Sequence, residues 1–116
     1  MAAATHNILI EQGATFQLNL VWKDSGGTPI NLTGYTARMQ VRRKYSDPVI
    51  LLNFTTENGA IVLGGALGTI VVTGLATLTD DLPAKPCVYD LELISASGFV
   101  TRLIEGAATI TPEVTR

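Results

Sequence analysis

Charge is scarce in this 116-residue sequence. Asp, Glu, Lys and Arg make up 16% of it, where a typical domain carries about 25%. Aromatics are also few, at 6%, although 47% of the chain is hydrophobic. The apolar content is therefore aliphatic plus alanine. A surface this short of charge is poorly protected against association. Either part of it is covered by other protein in use, or a Thr-rich solvent face is neutral without being covered. The single cysteine, Cys87, excludes an intrachain disulfide and an intrachain zinc–cysteine cluster. The single histidine, His6, lies in a polar stretch with no serine or cysteine nucleophile beside it, so no catalytic base is expected there. A net charge of -2 gives no electrostatic case for nucleic acid. No apolar run approaches the ~18 residues of a spanning helix, so no membrane partner is expected. Residues 1–6 lack the basic and apolar regions of a secretory signal, and synthesis and use from the cytoplasm are expected.

What the chain does have is alternation. Seven short stretches with apolar and polar residues in turn are separated by Gly, Pro, Asn and Asp. The clearest is Phe16, Leu18, Leu20 and Trp22, interleaved with Gln17, Asn19 and Val21. Successive strand side chains point to opposite faces, so a period of two buries one face. Repeated about every ten residues, it predicts an all-β chain, a single antiparallel β-sandwich of about seven strands. The whole of residues 1–116 reads as one domain, with residues 1–7 an extended N-terminal arm.

The expected strands cover residues 8–10, 14–22, 35–43, 49–54, 60–63, 69–73, 87–94 and 99–110, the two short ones before residue 74 counting as one broken element. Lys23-Asp24-Ser25-Gly26-Gly27 and Ser95-Ala96-Ser97-Gly98 read as hairpin turns, and Asn58-Gly59 is a strong two-residue turn signal. Residues 75–78 suit one helical turn, capped by Thr73 or Thr77. Gly106 would mark a bulge in the last strand. Parity places Leu18, Leu20, Trp22, Met39, Val41, Tyr89, Leu91 and Leu93 in the inter-sheet core.

No catalytic constellation emerges. Cys87 starts an apolar strand, where a small buried hydrophobe is the default. Asp80-Asp81 and the Asp90/Glu92 pair lack the repeated oxygen spacing of a calcium loop. Gly64, Gly65 and Gly68 are followed by no lysine with Ser or Thr, so they form no phosphate cradle. The expectation is a non-enzyme without metal or cofactor. Among charged groups, Arg38, Arg42, Arg43 and Lys44 stand out. Two roles fit them: ion pairs from Arg38 and Arg42 to Asp90 and Glu92 on a paired strand, or a basic patch for a partner protein.

Three phrases carry a resemblance. They are Ile10-Glu11-Gln12-Gly13-Ala14-Thr15-Phe16, the run from Trp22 through Thr28-Pro29-Ile30-Asn31-Leu32-Thr33-Gly34-Tyr35, and Leu82-Pro83-Ala84 ahead of Tyr89-Asp90-Leu91-Glu92-Leu93. In this order they resemble the small immunoglobulin-like domains of tailed-phage particles, especially the N-terminal domain of phage baseplate upper proteins. The resemblance implies an immunoglobulin-like sandwich located in the virion and made in the bacterial host cytoplasm. It also implies an adaptor or decoration role in the tail, neck, baseplate or capsid. Expected partners are other virion proteins (tail, neck, baseplate, fibre or capsid), with self-association in the particle among them. The contrasting expectation is a small carbohydrate- or receptor-binding sandwich, for which Tyr45 is the best exposed aromatic.

Residues 60–74 contain no charge, and nine of the fifteen are Ile, Val, Leu or Ala. Both parities of Ile70-Val71-Val72 are apolar, whereas a strand with one solvated face should alternate. Leu67, Ile70, Val71 and Val72, with Arg42, Arg43 and Lys44, are accordingly the candidate protein interface, and residues 2–7 are expected to be ordered by a similar contact. The competing expectation is that a second sheet buries the segment within the domain.

Overall fold

A computed structural model describes residues 3–114. Its strands are β1 (Ala4–Thr5), β2 (Ile8–Glu11), β3 (Phe16–Val21), β4 (Thr36–Arg42), β5 (Leu52–Thr55), β6 (Ile61–Leu63), β7 (Thr69–Gly74), β8 (Pro86–Ile94) and β9 (Val100–Thr111), with a 3-10 turn at Gly65–Leu67 and one α-helical turn, α1 (Ala76–Thr79). One sheet runs β1-β9-β8-β4-β5, with β2 also on β9, and the other runs β3-β7-β6. This division, with the fourth and eighth strands paired across a Greek-key crossover, is that of an immunoglobulin-like sandwich. The pairing of β4 with β8 is the one on which that topology depends.

The alternation explains the layers. Ala37, Met39 and Val41 of β4, Cys87, Tyr89, Leu91 and Leu93 of β8, and Phe54 of β5 share one buried apolar interior with Ile70 and Val72 of β7. Phe16 stacks on Phe54 with ring centroids 6.1 Å apart. Leu18, Leu20 and Trp22 share the inward face of β3 but are only half-buried. They pack against the inter-sheet core as expected but are not fully enclosed by it: β3 lies at the edge of its sheet, and among the described residues no further strand closes over them. Trp22 packs edge-on against Tyr35, centroids 6.2 Å apart.

The first strand is not a free arm. Ala4 and Thr5 pair in parallel with Ile104 and Glu105, and β2 continues along residues 108–111. The expectation that residues 2–7 are ordered by a neighbouring protein is thereby corrected for residues 4–7, which dock on their own chain, while Ala2 lies outside the described residues. Where the strand breaks, the His6 amide donates to Glu105 at 2.9 Å and the Asn7 side chain accepts from the Ala107 amide. Gly106 permits this: a Cβ there would lie 2.6 Å from the His6 carbonyl oxygen. The bulge expected at Gly106 occurs instead at Leu103, the extra residue between the Leu91–Ile104 and Glu92–Arg102 pairs.

The helical turn begins at Leu75 without a side-chain cap, so neither Thr73 nor Thr77 caps it. Its anchor is the buried Thr79, whose hydroxyl lies 2.8 Å from the Ala14 carbonyl. Gln12 clips the adjoining loops, donating to Leu82 at 2.7 Å and accepting from the Glu113 amide.

Candidate functional site

Charge divides cleanly between the sheets. Every charged residue within a described strand (Glu11, Arg38, Arg42, Asp90, Glu92, Arg102 and Glu105) belongs to the larger sheet, and β3, β6 and β7 contain none.

On the charged sheet the outward groups satisfy one another. Arg38 lies opposite Glu92 and donates to it at 2.7 Å, as the sequence led one to expect. The second expected pair does not form. Gln40, not Arg42, stands opposite Asp90, and Arg42 turns to the Asp47 carbonyl at 2.6 Å and to Gln40 at 2.9 Å. Asp90 is paired with Arg102 at 3.5 Å. Burial, with Glu92 and Glu105 nearby, pushes the Asp90 carboxyl above its usual range against the pull of Arg102 and Arg38. Arg43 is half-buried, and its Nε finds no acceptor among the described residues. Lys44 is exposed beside Tyr45. Arg42, Arg43 and Lys44 therefore do not make one exposed basic patch, because Arg42 is spent on its own turn. Cys87 is buried, and burial raises its thiol pKa despite the nearby Arg43 guanidinium. Among the described residues no cluster of His, Cys, Asp and Glu could hold a metal ion, and no helix is long and apolar enough to cross a membrane.

The smaller sheet presents a different surface. Its inward residues Ile70 and Val72 are fully buried, so their assignment to an interface is corrected: they are core, held against the larger sheet. Val71 points the other way. Register places it in a row with Asn19 on one side and Val62 on the other. The flanking rows add Val21 with Thr69, and Gln17 with Thr73. Val62 is 61% exposed and Val21 50%. Exposed leucines stand at both ends, with Leu67 in the turn between β6 and β7 and Leu75 and Leu78 beyond β7. Leu75 and Leu78 border a depression of about 390 Å³ with Asn53, Asn58, Ala60 and Thr73.

Of the residues singled out in 60–74, then, Val71 and Leu67 reach the surface while Ile70 and Val72 do not. The sequence reading missed Val21, Val62, Leu75 and Leu78. A signal for the correct split was present, since Thr69 and Thr73 share the parity of Val71 and mark the wetter face. Gly68, αL at φ 69, makes the tight turn before β7, and a Cβ there would meet the Trp22 carbonyl at 2.7 Å.

Comparison with known proteins adds little. No family model matches, and no curated protein matches. Among solved structures, the chain is similar to the extracellular domain of the voltage-gated sodium channel beta4 subunit, described as a parallel homodimer with a role in cell–cell adhesion. The two share 9% identity and a TM-score of 0.45, over 98% of this chain and 97% of that one. Likeness at that level transfers no function.

Proposed function

We propose that this chain is a non-enzymatic structural protein of a bacteriophage virion. In this reading it is an immunoglobulin-like adaptor or decoration domain of the tail, neck, baseplate or capsid, made in the host cytoplasm and acting through contacts with other virion proteins. The observation that carries the contact half is the outer face of β3, β7 and β6. It has no charge, Val21 and Val62 are exposed, and leucines stand at both of its ends. Exposed valines and leucines brought together on an uncharged face support a contact surface there. The virion half rests on the resemblance of residues 10–16, 22–35, 82–84 and 89–93 to phage sandwich domains. Mass spectrometry of particles purified from a culture producing the chain tests it. The protein should be present at a fixed ratio to the major structural proteins, and its absence from washed particles would overturn the proposal.

A second reading, a carbohydrate-binding module, has one observation in its favour. Tyr45 is 75% exposed and borders a shallow depression with Gln40, Arg42 and Asp90. Binding on a glycan array that is lost in Tyr45→Ala would favour it over the virion role.

A further inference from the structure

The four sheet edges are unequal. Two are short strands: β5 has 4 residues and β6 has 3. A third, β1 with β2, is broken at His6 and Asn7 and ends on the charge of Glu11. Short, interrupted or charged edges are the usual protection against edge-to-edge pairing. The fourth, β3, has 6 residues, FQLNLV, without charge, proline or register shift. The chain's own first strand does not cover it, because residues 4–5 and 8–11 are committed to β9.

The direction of the free backbone groups follows from the ladder. The Trp22 amide donates to Gly68 at 2.9 Å, and the Thr73 amide donates to Ala60 across the other side of β7. Hydrogen-bonded pairs alternate along an antiparallel ladder. Phe16, Leu18 and Leu20 therefore direct their amides and carbonyls to β7, and Gln17, Asn19 and Val21 direct theirs to the open edge. Among the described residues these three edge groups have no backbone partner outside β7.

We propose that the β3 edge pairs antiparallel with β3 of a second copy of this chain, about a two-fold axis through Asn19. In that register Asn19 faces its own copy in a hydrogen-bonded pair, and Gln17 faces Val21 in both directions. All the free edge groups are then used. An isologous contact must be self-complementary, and this one sets no charge against another. On the inner side it brings Leu18 beside Leu20 of the second copy, and Phe16 beside Trp22. Of these, Leu18, Leu20 and Trp22 are the inward residues that the open edge leaves partly exposed, while Phe16 is already buried. The smaller sheets merge into one continuous sheet and the uncharged outer face doubles. A strand-edge contact falls below the ~1,600 Å² of a standard interface, so a dimer of roughly micromolar or weaker affinity is expected.

Sedimentation equilibrium of the isolated protein over about 5–500 µM tests this. The wild type should pass from monomer to dimer. Asn19→Pro removes the amide on the axis but no bond to β7, and edge positions tolerate proline. Asn19→Lys sets like charges directly opposite each other. Asn19→Pro, which removes two hydrogen bonds across the axis, should raise the dimer dissociation constant by about tenfold or more, and Asn19→Lys by about two- to fivefold, while far-UV circular dichroism stays unchanged. If the proline variant does not fold, the lysine variant decides. Val62→Lys, on the outer face but two strands from the edge, should dimerise like wild type. A wild type that stays monomeric overturns the proposal. So does a dimer unaffected by Asn19→Lys, or one abolished by Val62→Lys. Dimerisation is measured in the isolated protein and the virion role in purified particles, so either can fail without the other.

Discussion

The hydroxyl of Tyr89 donates to the carbonyl of His6, 83 residues upstream, and closes the first strand over the sheet at the point where Gly106 leaves room for it. Tyr89→Phe should cost about 1–2 kcal/mol, because it leaves a partly buried carbonyl without its donor. Urea denaturation would measure the loss, and hydrogen exchange should rise first in residues 4–8. Burial also pushes the Tyr89 phenol up to about 12 from an ordinary value of 10.0. The folded chain thus holds this proton more tightly than the unfolded chain. Its contribution is complete below pH 10 and falls away as pH rises towards 12. In Tyr89→Phe that part of the alkaline loss should disappear.

Phe54 and Trp22 should respond unequally to truncation. Phe54 is fully buried and Phe54→Ala should cost about 3–5 kcal/mol through the cavity it leaves. Trp22 is half-buried against Tyr35, with one side open. Trp22→Ala should cost less, about 1–3 kcal/mol, since less area returns to water and no closed cavity forms. Chemical denaturation of both variants gives the comparison, and a Trp22 loss equal to that of Phe54 would contradict the half-open rim.

Asp90 is held above its usual carboxyl pKa by burial and neighbouring acids. A raised carboxyl pKa means stability that is present at low pH and lost as pH rises through the folded value. Asp90→Asn should therefore be as stable as wild type or more so at pH 7, despite losing the 3.5 Å contact with Arg102. The difference should shrink as pH falls and the native carboxyl takes up its proton. Thermal midpoints at pH 3 and pH 7 provide the check.

Strands whose two faces differ in polarity were legible in the sequence. In β4 and β8, arginines, glutamine and acids mark the outer parity, and the cross-strand pair Arg38–Glu92 follows from it. β7 was harder to read because Ile70, Val71 and Val72 are all β-branched and apolar, and only the threonines at either end show which parity is wet. Residues 4–5 carry no pattern of their own, and their docking depends on the backbone approach at Gly106, over a hundred residues away. The Arg42 contact was hidden for a similar reason. Its acceptor is a backbone carbonyl, at Asp47, which side-chain charge matching does not reveal. The openness of β3, which sets the burial of Trp22, depends on where another strand goes and has no mark within residues 16–22.

If the uncharged face of the smaller sheet is a contact surface, lysines placed across β7 and β6 should separate folding from assembly. Val62 and Val71 point outward and Val72 inward. Val62→Lys and Val71→Lys should fold, with thermal midpoints close to wild type, yet be missing from purified particles in a quantitative mass-spectrometric comparison with the wild-type chain. Val72→Lys should fail to fold, since it buries an unpaired charge. Recovery of the folded Val62→Lys and Val71→Lys chains in particles at the wild-type level would show that this face makes no contact in the virion.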